Sequence, residues 1–281
     1  MISLRTVVGS YPHTAPLRDG RVTSAQVHLE HIVVSPVNRA FRPMVNDLIY
    51  DVSEMALVTL MLAHAMNRPL RSLPVVLMRQ SAHASLLVRG DSPLQSADDL
   101  RGRTIGVRAY TQTTGTWLRG ILHDQFGLDL SALSWVTVEP AHVNGFQDPP
   151  NCRRAGEGAT LLRMLLEGEV DAAVGLDPHP RLRPLLSARA ETDWLAQTGV
   201  APINHVLVVR DALVQQEPWL TSELFLMFCT ARERSIREDH AHPAEYGLQA
   251  NRKAIEQLAH YAHQQGILRT AYRASELFEP F

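Results

Sequence analysis

Phe41-Arg-Pro-Met-Val-Asn-Asp-Leu-Ile-Tyr-Asp-Val-Ser-Glu-Met recurs in form as Leu162-Arg-Met-Leu-Leu-Glu-Gly-Glu-Val-Asp-Ala-Ala-Val-Gly. In each copy a helix-periodic stretch with an apolar seam (Met44, Val45 and Leu48; Met164 and Leu165) gives way to a short strand carrying an aspartate, then to small and polar residues. A helix feeding a short buried strand is the signature of a parallel α/β sheet. In open sheets of that kind the loops at the carboxyl ends of the strands face the ligand crevice. Two such units predict an α/β chain of two lobes facing one cleft.

With 281 residues there is enough chain for two lobes with separate cores, since single cores stop growing at about 250 to 300 residues. A net charge of −2 and a pI near 6.7 argue against nucleic-acid and anionic-membrane partners, both of which select basic faces. The longest apolar runs, Val58-Thr-Leu-Met-Leu-Ala and Val206-Leu-Val-Val, are far shorter than the roughly 20 residues that span a bilayer. The first fifteen residues hold no apolar h-region and no small-residue cleavage site, so a cytoplasmic location is expected. Cys152 and Cys229 are far apart and fit no metal or redox motif, in keeping with a reduced compartment.

Working outward, residues 3 to 9, 27 to 34 and 74 to 78 read as strands, and 54 to 67 as a helix with Glu54 in its first turn. Ser96-Ala-Asp-Asp resembles a helix start, and the strand Arg103-Thr-Ile-Gly-Val ends at Arg108-Ala-Tyr ahead of a helix from Thr113 to Gln125. The Pro- and Gly-bearing stretch 139 to 158 reads as the longest loop, and Pro218 to Gly266 as amphipathic helix broken near His242-Pro243. Strands Ser85 to Arg89 and His205 to Arg210 are the natural crossings, which puts lobe I at 1–84 plus 206–281 and lobe II at 85–205.

Thr111-Gln-Thr-Thr-Gly-Thr-Trp, at the start of a helix after a strand, offers an anion the helix dipole, backbone N–H groups and Thr113 and Thr114 hydroxyls. Ordinary capping by Thr113 would give the same pattern. Ser53 and Glu54 leave the Asp51 strand in the corresponding place and are open to the same two readings. Tyr11 and His13, in the loop after the first strand, are within reach of a cleft, as are Arg108 and Tyr110. His83, His142, His179 and His205 fall at predicted crossings or cleft loops, where an imidazole can act as acid or base or simply bond backbone. Asp177 and His179 with His83 or His205 would make a divalent-metal site, but no spacing such as HExxH or CxxC supports one. There is no phosphate loop, no dinucleotide fingerprint and no Gly-x-Ser-x-Gly elbow.

Six stretches, Tyr11-Pro-His-Thr-Ala-Pro-Leu-Arg-Asp-Gly, Tyr50-Asp-Val-Ser-Glu-Met, Asp99-Leu-Arg-Gly-Arg-Thr-Ile-Gly-Val, Thr116-Trp-Leu-Arg-Gly-Ile-Leu, Leu166-Glu-Gly-Glu-Val-Asp-Ala and Thr198-Gly-Val-Ala-Pro-Ile-Asn-His-Val-Leu-Val-Val-Arg, resemble the 4,5-dihydroxyphthalate decarboxylase family. The resemblance runs in order over nearly the whole chain. It implies a two-lobed type 2 periplasmic-binding-protein-like fold with a ligand cleft between the lobes. It also implies a cofactor-independent carboxy-lyase acting on a hydroxylated aromatic acid, and a place in aromatic catabolism. The family pattern has arginine where this chain has Ala15 and Ala82, and another near Asp177, while the histidine at 83 is kept. Because guanidinium pairing is the usual way to hold a dianion, the ligand expected is a hydroxylated monocarboxylate as much as a phthalate.

The expected chemistry is protonation of the ring carbon that carries the carboxylate, assisted by a ring hydroxyl, with His83 as acid and His205 or His13 at the hydroxyl. Tyr11, Ser53, Glu54, Arg108, Tyr110, Thr113, Thr114, Asp177 and His179 are the expected substrate contacts. No metal, cofactor, nucleic acid or membrane is required, the partner is a small aromatic carboxylate, and homo-oligomerisation stays open. The rival reading is a non-catalytic solute-binding or sensor protein for an aromatic or other small carboxylate.

Overall fold

Asp51 and Asp171 do the same job at equivalent places, and that job starts both sheets. The Asp51 N–H donates to the Arg5 carbonyl at 2.9 Å, while its carboxylate accepts from the Arg5 N–H at 2.8 Å. The Asp171 N–H donates to the Thr104 carbonyl at 2.8 Å and its carboxylate accepts from the Thr104 N–H at 2.9 Å. Each aspartate thus closes the first rung of a parallel ladder, leaving neither backbone group of its neighbour unsatisfied.

The computed structural model describes residues 1–238 and 244–281. The strands are β1 (Ile2–Val7), β2 (Val27–His31), β3 (Val52–Ala56), β4 (Leu70–Met78), β5 (Leu86–Arg89), β6 (Thr104–Val107), β7 (Ser134–Thr137), β8 (Cys152–Arg154), β9 (Ala172–Val174), β10 (Leu182–Pro184) and β11 (His205–Arg210). The helices are α1 (Ala15–Arg18), α2 (Phe41–Asp47), α3 (Leu57–Ala65), α4 (Thr113–Phe126), α5 (Leu161–Glu167), α6 (Ala188–Thr198), α7 (Asp211–Gln216), α8 (Leu220–Arg237), α9 (Leu248–Gln264) and α10 (Ala274–Leu277). Among the described residues no helix is long and apolar enough to cross a membrane.

The chain divides into two units. The first, 1–79 with 203–256 and 272–281, holds a five-stranded sheet in the order β2-β1-β3-β11-β4. Strands β2, β1 and β3 are parallel, and β11 lies antiparallel between β3 and β4. Its core joins Leu4, Val52, Leu73, Val75, Leu207 and Val209 of the sheet to Leu224 and Phe228 of α8. Pro74 is tolerated within β4 because β4 is an edge strand, which needs no N–H on its open side.

The second unit, 80–202 with 257–271, holds a six-stranded sheet in the order β10-β5-β9-β6-β7-β8. Its core includes Leu87, Val136 and Ala173 of the sheet and Met164 and Leu165 of α5. Residues 257–271, expected in lobe I, belong here. The physical reason is specific bonding: the Tyr261 hydroxyl donates to Asp124 at 2.7 Å, and Gln265 accepts from Arg119 at 2.6 Å. Gly120 makes room for this, since a Cβ there would lie 2.2 Å from the Tyr261 ring.

Several local expectations need correction. Neither β5 nor β11 is a crossing, for each lies wholly in one unit, and the chain passes over after Arg79 and returns at Ile203. Glu54 sits in β3, and the following helix begins only at Leu57, because Val206 and His205 of β11 pair with Met55 and Ala56 and keep the strand extended. The Ser96 start yields only a short 3₁₀ turn at Asp98–Leu100. The stretch 139 to 158 contains β8, an edge strand paired with β7. The expected break at His242-Pro243 lies outside the described residues.

Candidate functional site

In the first unit the chemistry gathers around one buried carboxylate at the carboxyl ends of β1 and β3. The loop after β1 is closed by Thr14, whose hydroxyl donates to the Gly9 carbonyl at 2.9 Å and accepts from the Tyr11 N–H at 3.1 Å. Gly9 is required there, because a Cβ would fall 2.6 Å from the Tyr11 ring. The loop so held aims two donors at Glu54, which is 0% exposed. The Gly9 N–H reaches Oε2 at 2.8 Å and the Tyr11 hydroxyl reaches Oε1 at 2.7 Å.

The third donor comes from β11. His205 Nδ1 lies 2.6 Å from Glu54 Oε1, with the Phe41 ring packed perpendicular to the imidazole at 5.0 Å between centroids. A buried carboxylate is an acceptor only, so the facing Nδ1 carries the hydrogen and Nε2 is left as the nitrogen that can exchange a proton. Burial opposes ionisation of Glu54. It is outweighed by the hydrogen bond and charge of His205, followed by the bonds from Gly9 and Tyr11, which together hold the carboxyl below its ordinary range. Burial, then the charge of Glu54 and its hydrogen bond, push the Tyr11 phenol up, so it remains a donor. A carboxylate that fixes one imidazole nitrogen prepares the other to give and take a proton.

His13 is buried in the same loop, with its ring stacked on Tyr11 at 5.1 Å. Ser53, the other residue anticipated on this strand, is buried and donates from its hydroxyl to the Glu54 carbonyl at 2.8 Å. Adjacent strand residues point to opposite faces, which separates the Ser53 side chain from the carboxylate.

In the second unit α4 begins at the carboxyl end of β6. Its N-cap is Gln112, with no side-chain cap bond, so Thr113 is not the cap. The first helical bond runs from the Thr116 N–H to the Gln112 carbonyl at 2.9 Å, and Thr113 and Thr114 are both buried in the first turn. Tyr110 is turned inward, edge-on to Trp135 at 6.4 Å. The half-buried Arg108 extends toward Glu139, 3.8 Å away, with burial pulling its pKa down and Glu139 opposing that.

His83 is buried, and its Nε2 lies 2.8 Å from Gln125 Oε1. Gln125 donates its own amide to the Ala190 carbonyl at 2.8 Å, which leaves Oε1 as the acceptor and His83 Nε2 as the donor. His179 belongs to the turn before β10, accepting at Nδ1 from the Arg181 N–H at 3.2 Å, and Asp177 is exposed. Among the described residues no group of three or more His, Cys, Asp or Glu side chains is placed to hold a metal ion. Two contributors gave no sequence signal of their role: Phe41 against His205, and the buried Arg119 of α4.

No family model matches the chain. A curated protein of Comamonas testosteroni named 4,5-dihydroxyphthalate decarboxylase is 26% identical over 326 aligned positions, covering 99% of this chain and 97% of its own length. A Pseudomonas putida protein of the same name is 30% identical over 216 positions, 69% of this chain and 81% of that protein. Among solved structures, the periplasmic aliphatic sulphonate binding protein SsuA from Escherichia coli superposes with a TM-score of 0.63 at 15% identity, covering 99% of this chain and 97% of that one. That likeness establishes a periplasmic-binding-protein-like α/β fold.

Proposed function

The chain belongs to the 4,5-dihydroxyphthalate decarboxylase family, and we propose that it is a cofactor-independent decarboxylase of a hydroxylated aromatic carboxylic acid. The observation that carries this reading is the 2.6 Å contact between His205 Nδ1 and the buried Glu54 carboxylate. Direct loss of CO2 from an aromatic ring would leave an aryl carbanion. The reaction therefore needs the ring carbon bearing the carboxylate to be protonated first, with electron density supplied by a ring hydroxyl. That hydroxyl acts as the electron donor, so the reading calls on no cofactor.

His205 is the acid in this scheme. Its imidazolium, stabilised by Glu54, gives the Nε2 proton to the ring carbon. The carbon–carbon bond then breaks with its electron pair returning to the ring, CO2 leaves, and His205 recovers a proton from solvent. His83 is less suited to that role because its Nε2 is engaged with Gln125. Tyr11 and the stacked His13 shape the loop around Glu54. The first turn of α4, with Thr113 and Thr114 at the positive end of a 14-residue helix, is the proposed carboxylate-binding element of the second unit. The absence of arginine at Ala15 and Ala82 favours a monocarboxylate over a phthalate.

The test is turnover of 4,5-dihydroxyphthalate and a panel of hydroxybenzoates in D2O. One deuterium at the carbon that carried the carboxylate, lost with His205→Asn, is the expected result. Tight binding of an aromatic acid with no CO2 release from any member would make the protein a receptor and overturn the proposal.

A further inference from the structure

Arg119 is 0% exposed, yet no carboxylate among the described residues pairs with it. Its guanidinium carbon lies 4.0 Å from the centroid of Tyr110 and 4.8 Å from that of Trp135. Nε donates to Gln265 Oε1 at 2.6 Å, and Nη2 to the Tyr110 carbonyl at 2.6 Å and to the Thr116 hydroxyl at 3.3 Å. These partners are all neutral. The remaining nitrogen, Nη1, has no hydrogen-bond partner among the described residues. It lies against the first turn of α4, since a Cβ at Gly115 would be 3.5 Å from it and 3.1 Å from Val107 Cγ2.

Burial pulls the guanidinium's pKa down, but arginine does not lose its proton in a protein. A full positive charge therefore sits under the end of a helix that already carries partial positive charge. Asp148 is the carboxylate whose charge acts on the guanidinium, but Asp148 is itself paired with Arg154 at 2.9 Å, so the buried charge is only partly compensated and costly to fold around. Aromatic faces and neutral acceptors soften that cost without cancelling the charge. What would cancel it is an anion at the first turn.

We propose that Arg119 is the specificity-determining charge of the α4 element, making its first turn select an ionised carboxylate over the same ring without one. The inference rests on the reading that this turn takes the substrate's carboxylate, and it adds the source of the selectivity. Arg119 acts through the field it places under Gly115 and the first-turn backbone, so it is a positioning residue. The hydroxyls of Thr113 and Thr114 carry no charge.

The experiment measures binding of 4-hydroxybenzoate and of phenol to the full chain by calorimetry or ligand-observed NMR, for the unaltered protein, Arg119→Lys and Arg119→Met. A unit charge at about 7 Å and an effective dielectric near 20 predicts that Arg119→Met weakens 4-hydroxybenzoate by about ten- to fifty-fold. Phenol should change by less than about two-fold, and Arg119→Lys should keep most of the preference. The ligand-free Arg119→Met protein should melt lower, because Gln265 Oε1 and the Tyr110 carbonyl lose their buried donor, so the deciding readout is the ratio of the two affinities in the folded variant, which a purely structural arginine would not move. Should that variant not fold, Arg119→Gln carries the same comparison. An unchanged ratio of the two affinities in Arg119→Met, or equal loss of both ligands, overturns the inference while leaving the α4 reading in place. If the unaltered protein shows no preference for 4-hydroxybenzoate over phenol, or if Thr113→Val leaves its affinity for 4-hydroxybenzoate untouched, the α4 reading falls first and takes this one with it.

Discussion

Glu54→Gln is the perturbation that separates a proton-transfer site from a packing feature. Three donors converge on two carboxylate oxygens: the Tyr11 hydroxyl at 2.7 Å and His205 Nδ1 at 2.6 Å on Oε1, and the Gly9 N–H at 2.8 Å on Oε2. Glutamine has the same shape but one oxygen and one NH2. If its oxygen keeps Tyr11 and His205, its NH2 opposes the Gly9 N–H, and a buried donor is left without an acceptor at a cost of about 1 to 3 kcal/mol. If it flips, the NH2 faces Nδ1 and drives the imidazole to the other tautomer. Loss of the charge-assisted bonds is partly offset because a buried charge is no longer desolvated, so a net loss of about 2 kcal/mol is expected. For a chain of this size that is a fall of roughly 4 to 8 °C in melting temperature. In either orientation the imidazolium loses the anion that stabilises it, and turnover should fall by about 10² to 10⁴, the usual share of general acid catalysis. The assay is CO2 release under saturating substrate beside a melting curve of the same preparation. Turnover within three-fold of the unaltered protein, in a variant that shows the stability loss, would refute the role given to Glu54 and His205.

Acid should reveal Glu54 in a second way. Its folded pKa lies below the ordinary value of 4.5, so its contribution to stability is complete above that value and is lost as pH falls through the folded pKa. The stability gap between the unaltered protein and Glu54→Gln, read from urea titrations, should therefore narrow below about pH 4.5; a gap that widens contradicts the assignment. His83→Asn should cost about 1 to 2 kcal/mol of stability through the Gln125 bond while turnover stays within a few-fold; a loss of 10²-fold or more would return the role of acid to His83. Thr113→Val should weaken a carboxylate ligand by about 1 to 2 kcal/mol without unfolding the protein, measured by calorimetry. Asp51→Ala and Asp171→Ala should each lower stability by about 1 to 2 kcal/mol and leave ligand affinity unchanged, and a specific loss of affinity in either would mean that the aspartate serves the ligand.

The two α/β halves were legible because each helix-to-strand unit is local: Met44 and Val45 or Met164 and Leu165, then an aspartate, lie within a dozen residues. In sequence Glu54 reads as a candidate residue at the start of a helix, since a short apolar run does not distinguish strand from helix. The partner that decides, β11, arrives late in the chain, with His205 151 residues after Glu54, to pair with Met55 and Ala56. The same separation keeps the Glu54–His205 pair out of sight in the sequence, although each residue by itself reads as a candidate. Arg119 stood inside a family-like stretch, but its meaning depends on Tyr110, Trp135 and Gln265, from three other parts of the chain. Sequence alone does not place residues 257–271 in the second unit, because amphipathic periodicity reports that a helix is covered on one face, not which core covers it.

The repeated unit also explains why its most conspicuous residues are not where the chemistry gathers. Asp51 and Asp171 stand at the amino ends of β3 and β9, where each closes the first rung against Arg5 or Thr104. A rung fixed there sets the register of the whole parallel ladder, Thr6 opposite Val52 in one sheet and Ile105 opposite Ala172 in the other. Register in turn determines which side chains come level at the opposite, carboxyl ends. There the two sheets carry different residues. In the first unit β1 and β3 deliver the Gly9–Tyr11 loop to Glu54, and β11 runs back antiparallel to bring His205 beside it. In the second, β6 delivers the first turn of α4, with Arg119 buried behind Gly115. One device is repeated at the end that builds the sheet, and each copy is free to differ at the end that can bind. That is why the likeness between the halves identifies the architecture, whereas the proposed acid, His205, and the proposed selector, Arg119, have no counterpart in the repeat.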